Sequence, residues 1–154
     1  MAARLRIVGW PSESVLPDLS VMRGTFRLRR QASKWALFAE VVVDAAPSND
    51  HEIVLGPDIF VWRRQAYGPD AKWGGPDDDT FGSAAVRGAR YALKRLPVAF
   101  GKVRIRIVTI HDSPVDTTPP AIQFAAAYAV WQALGYAPEA APHIDHEGHA
   151  IFPA

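Results

Sequence analysis

Residues Lys102 to Ile110 alternate between two kinds of side chain, and no other stretch constrains the chain as tightly. Val103, Ile105, Ile107 and Thr109 fall on one phase, Lys102, Arg104, Arg106 and Val108 on the other. A period of two is the geometry of a β-strand with one buried face and one face toward water. The chain must therefore build a sheet with a covered face and a basic face. Thr25 to Arg29 repeats the pattern, with Phe26 and Leu28 facing one way and Arg27 and Arg29 the other. Trp35 to Asp44 predicts a further strand, carried by the β-branched run Val41-Val42-Val43. Ala45 to Asp50 has the composition of a turn. Ile53 to Leu55 and Ile59 to Trp62 are short apolar runs divided by Gly56-Pro57, either one interrupted strand or two.

Two stretches can cover such a sheet. Ser83 to Leu96 predicts a helix that stops before Pro97, with Ser83 as its N-cap and Asp77, Asp78 and Asp79 just ahead of its positive end. Ala85, Gly88, Ala89 and Ala92 make a small-residue stripe that lets the helix lie close to the sheet. Ala121 to Leu134 predicts a second helix, capped by Thr117 or Thr118, with Pro119 and Pro120 in its first turn and Gly135 just past its end. Residues 63–82 read as a long polar loop, Leu5 to Val8 as a short strand before a loop marked by Pro11 and Pro17, and 137–154 as a Pro- and His-containing tail with room for a short hairpin. Strands, helix, strand, helix in this order predict an α+β two-layer sandwich: one mixed sheet with both helices on one face.

At 154 residues the chain suits a single domain, 1–154. Its net charge of +1 supplies no global pull toward nucleic acid or membrane. The absence of cysteine removes disulfides, thiolate metal sites and a Cys nucleophile, and fits a cytoplasmic protein. The first ten residues lack the apolar core of a signal peptide, and no run reaches the ~20 apolar residues that span a bilayer, so no membrane partner is expected.

The run Val115 to Ala126 (VDTTPPAIQFAA) resembles the loop-to-helix junction in domain IV of elongation factor G, the ribosomal translocase. Gly24 to Asp44 resembles the opening strand pair of that domain, Ala84 to Leu93 its first helix and Gly101 to Ile107 the strand that follows. The resemblance spans about residues 25–134, leaving 1–24 as an N-terminal extension and 137–154 as a tail. It implies the fold that this domain shares with a small-subunit ribosomal protein, including a left-handed crossover, and contact with the ribosome or a structured RNA. The two tip loops depart from the family: Gln31-Ala32-Ser33-Lys34 has no glycine, and His111-Asp112-Ser113-Pro114 is short, with its His at the start. No phosphate-binding loop is present, so nucleotide hydrolysis is not expected.

Arg27, Arg29, Arg30 and Lys34, interleaved with Phe26 and Trp35, suit phosphate tracking with stacking; Arg104 and Arg106 extend the strip if the strands share a sheet, and His111 joins it from the loop around 111–117. These are the candidate RNA-binding residues. Tyr67 and Trp73 in the 63–82 segment are candidates for a protein partner, the alternative function. His111, Asp112, Asp116 and Thr117 read foremost as turn and capping chemistry. His143, Asp145 and Glu147 share one side of the tail but lack a standard zinc spacing, so neither metal nor cofactor is expected. No catalytic motif converges, and the expected role is binding without catalysis.

Overall fold

The computed structural model describes residues 21–71 and 76–154. Leu5 to Val8, Pro11, Pro17, Lys72 and Trp73 lie outside the described residues. The chain runs β1 (Met22–Gln31), β2 (Ala36–Pro47), β3 (Glu52–Leu55), α1 (Trp62–Tyr67), α2 (Pro76–Lys94), a 3-10 turn (Val98–Phe100), β4 (Val103–His111), α3 (Pro119–Leu134), β5 (His143–Ile144) and β6 (Ala150–Ile151). The main sheet has the order β1-β2-β4-β3, antiparallel except for the parallel β3–β4 pair. α3 lies on β1 and β2 and α2 on β3 and β4, side by side on one face. The architecture is the two-layer α+β sandwich that the alternation required.

The covered face of the sheet is built from one phase of each strand. Leu28, Val41, Val43, Ile105 and Ile107 are buried, each contributing about 1.5–3 kcal/mol by leaving water. Small residues set how closely the layers approach. A Cβ on Gly24 would lie 2.1 Å from the Ala129 carbonyl of α3, so only glycine lets that helix rest on β1. The stripe on α2 serves a different contact from the one expected. A Cβ on Gly88 would lie 2.2 Å from the Gln123 carbonyl and 2.9 Å from the Ala126 Cβ, so the stripe faces α3 rather than the sheet. Trp131 spans the same seam, its indole N–H donating to the Ala92 carbonyl at 3.2 Å.

Three expectations are corrected here. Ile59 to Trp62 is not a strand: it turns into α1, held beside β4 by the Ile110 N–H donating to the Ile59 carbonyl, with Phe60 buried beneath. The 63–82 loop is largely helical. α2 begins at Pro76, whose missing N–H costs nothing in a first turn, and Asp77, Asp78 and Asp79 lie within that turn against the positive end of the dipole. Ser83 is thus inside the helix and is not its cap. Finally, the alternation of β4 breaks. Val42 pairs with Thr109 and Val43 with Ile107, leaving Val108 as a bulge. Ile110, not Thr109, is therefore the buried residue. Strict alternation would turn His111 toward the helices; the bulge turns it to the open face.

α3 has the caps expected. The Thr118 Oγ1 accepts from the Ala121 N–H, and Gly135 closes the helix at φ 68°. The tail forms the β5–β6 hairpin, with Ile144, Ala150 and Phe152 packed on the core.

Candidate functional site

The open face of the sheet carries the other phase of each strand, and ion pairs dominate its lower part. The Arg23 guanidinium grips the nearly buried Asp44 carboxylate with its Nε at 2.8 Å and Nη2 at 3.0 Å. That fork raises its pKa against the cost of burial. Arg27 pairs with Glu40 at 3.2 Å and Arg104 with Glu52 at 2.6 Å. Arg106 stands in register with Asp44. The basic strip read from β1 and β4 is therefore interleaved with acids from β2 and β3, which were not placed opposite it in the sequence reading. Arg30 departs further, since it shares the phase of Phe26 and Leu28 and belongs to the helix side of β1.

At one end of the sheet the balance changes. The β1–β2 turn and the β4–α3 loop flank an open cleft of about 640 Å3, lined by Arg27, Arg29, Arg30, Phe38, His111 and Asp112 among others. Arg29, Arg30 and Lys34 are exposed and form no ion pair among the described residues. The structure thus brings Arg27, Arg29, Arg30 and His111 to one cleft, with Lys34 in the adjoining turn, and leaves Arg104 and Arg106 away from it.

Aromatic side chains continue from the cleft. His111 meets Phe38 edge-on at 5.4 Å and stacks on Trp62 at 4.2 Å, and Tyr67 leans on Trp62 at 5.8 Å. Arg27 lies 5.8 Å from the Phe38 ring centre. The His111 Nδ1 is 3.7 Å from the Glu40 Oε1. Tyr67 is 63% exposed, the outer end of this column. Phe38 and Trp62 were missed by sequence reasoning. Phe38 could have been found as the outward aromatic of β2, two residues before Glu40; Trp62 was hidden by the mistaken strand. The aromatics proposed instead are engaged elsewhere. Phe26 stacks on Tyr128 at 4.8 Å on the helix side, and Trp35 lies under Gly148 with its indole N–H on the His146 carbonyl.

The tip is rigidly braced. Arg63 clamps Asp78 of α2 and Asp112 of the β4–α3 loop at 2.9 and 3.1 Å, with all three side chains no more than 14% exposed. Burial alone would lower the Arg63 pKa, and the hydrogen bonds to both carboxylates outweigh it and raise it. Thr117 receives the Ser113 N–H and donates to the Phe38 carbonyl, tying the loop to β2 rather than capping α3, a role that falls to Thr118. In the tail, Asp145, Glu147 and His149 bring one ligand atom each within 4.8 Å, with His149 in place of the expected His143, which stays in the β5–β6 ladder. The Asp145 Oδ1 already accepts the N–H groups of Glu147 and His149 at 2.9 Å, the chemistry of a side-chain-closed turn.

These observations define a small α+β domain with a cationic, aromatic tip. No protein-family model and no curated protein sequence matches the chain. Its fold is similar to part of a solved protein from Thermus thermophilus, with a TM-score of 0.53 and 16% sequence identity. The match covers 86% of this chain and 16% of the Thermus chain. The likeness is one of fold. Among the described residues no helix is long and apolar enough to cross a membrane.

Proposed function

We propose that the chain binds structured RNA, in the ribosome or outside it, without catalysing a reaction. The observation that carries this reading is the convergence of three unpaired cations with the aromatic column at one end of the sheet. Arg29, Arg30 and Lys34 suit phosphates, and Phe38, His111 and Trp62 offer ring edges and faces to unpaired bases. The clamp of Arg63 supports it, because a braced loop loses little entropy on binding. The sequence resemblance of residues 25–134 to domain IV of elongation factor G supports the ribosome as the source of that RNA. Arg23, Arg104 and Arg106, lower on the sheet and outside the cleft, position the strands and do not contribute to the contact.

The experiment is co-sedimentation with separated ribosomal subunits and with protein-free ribosomal RNA across a salt series. Retention that weakens steeply with salt, and that is lost on Arg29→Glu/Arg30→Glu/Lys34→Glu, is the expected result. Equal retention of this variant would overturn the reading.

A further inference from the structure

β3 is the outer strand on the side away from β1, and among the described residues no strand pairs with its free edge. The Gly56 N–H donates to the Ile107 carbonyl at 2.8 Å, which sets the phase of the parallel ladder. Glu52 and Val54 therefore address β4, and the N–H and C=O groups of Ile53 and Leu55 point to the open side. Behind this edge a cleft of about 630 Å3 lies between β3 and α2. Leu55, Ile59 and Val86 supply its apolar lining. Gly82, also in the lining, leaves room on α2 against which Leu55 and Ile59 rest, a Cβ there standing 3.4 Å from the Leu55 Cδ1. Leu55 is left 47% exposed although it stands in the phase of the covered face. Arg87 and Arg90 also line the cleft; both are exposed and hold no ion pair among the described residues. Asp79 sits about 16 Å back along the helix from Arg90.

A strand edge beside a helix-walled apolar groove accepts an extended peptide as an added strand: main-chain bonds give affinity, and alternate side chains give specificity. We propose that β3 and α2 form a docking groove for an extended acidic peptide of a partner protein. The peptide pairs with Ile53 and Leu55, lays apolar side chains over Gly82 and Val86, and sets a carboxylate against Arg87 and Arg90. The charge pattern selects a peptide over nucleic acid, because the cations occupy one end of an apolar groove and Asp79 the other. The carboxylate belongs either to an acidic side chain or to a chain terminus. The groove shares no lining residue with the tip cleft, so this inference does not rest on the RNA reading.

Two displayed libraries of random peptides of about eight residues, long enough for one strand, test the groove on the full chain. One library ends in a free carboxyl group and the other embeds the peptide internally. The expected peptides alternate apolar residues and carry an acid or a terminal carboxylate. Added to isotope-labelled protein, they shift the amide resonances of Ile53, Leu55 and Gly82. Affinity falls on the order of tenfold for Arg87→Glu/Arg90→Glu, and equally when the acid in the peptide is exchanged for Lys. The exchanged peptide meets unaltered protein, so a folding defect cannot imitate that loss. Enrichment from the free-carboxyl library alone assigns the carboxylate to a chain end, and enrichment from both assigns it to a side chain. No enrichment, peptides indifferent to the Lys exchange, or resonance shifts confined to other residues would each overturn the proposal.

Discussion

Arg63 concentrates more of the architecture of the tip than any other single side chain. Its guanidinium covers the Phe60 ring at 4.0 Å while holding two carboxylates from different elements. Removing it takes this guanidinium from two shielded carboxylates, and Arg63→Ala is expected to lose about 2–4 kcal/mol in urea unfolding. Arg63→Lys recovers little, because a point charge cannot reproduce the fork that reaches both acids. Gly88 makes the complementary case. Gly88→Ala gains about 1 kcal/mol of helix propensity, yet its Cβ meets the Gln123 carbonyl at 2.2 Å. A net loss of about 1–3 kcal/mol is expected in the same measurement. Neither role could be read from the chain alone. Arg63 looked like a loop cation, because its partners are 15 and 49 residues away. Gly88 was correctly singled out as small, but a stripe of small residues does not say which neighbour it admits.

The elements divide by how much of their signal is local. β1, β2 and α3 were legible because periodicity and caps lie within each segment: Thr118 and Gly135 mark the ends of α3 in the sequence and in space. α1 and the first turns of α2 were not. Their residues are polar, and what holds them is Trp62 donating to the Ile110 carbonyl and Arg63 reaching Asp78. The β5–β6 hairpin has a testable local device. The Asp145 carboxyl lies below its ordinary value of 3.8, chiefly because it accepts the His149 N–H and also that of Glu147. A lowered folded pKa means that this contribution is complete above the ordinary value and is lost as pH falls through the lowered one. The Asp145 side-chain carboxyl carbon resonance is expected to titrate below the ordinary carboxylate range, and the Glu147 and His149 amide resonances to carry the same low-pH step. Asp145→Ala is expected to move them at neutral pH and to expose the Trp35 ring on which Gly148 rests.

Across the molecule, a net charge of +1 conceals a separation between a paired sheet face and the Arg29, Arg30 and Lys34 of the tip, which hold no ion pair among the described residues. If Arg29, Arg30 and Lys34 each neutralise one phosphate of a single strand, log affinity should fall with log salt at a slope of about −2. Filter binding of single-stranded RNA at several salt concentrations measures it. Charge reversal at all three flattens the slope, whereas Arg104→Ala leaves it unchanged. The cation types of the tip were legible in the sequence, but not their freedom: which arginines are neutralised depends on Asp44, Glu40 and Glu52 arriving from other strands. The bulge in β4 bears on how such a domain can vary over evolutionary time. Val108 belongs to neither ladder register, so deleting it leaves Ile107 and Ile110 on the covered face and His111 on the open one. Loss or gain of one residue at this point preserves the inward and outward sets of side chains and alters the local twist that aims His111 at Trp62. Deleting Val108 is thus expected to keep both faces of the most conspicuous strand of the chain while changing how His111 is aimed.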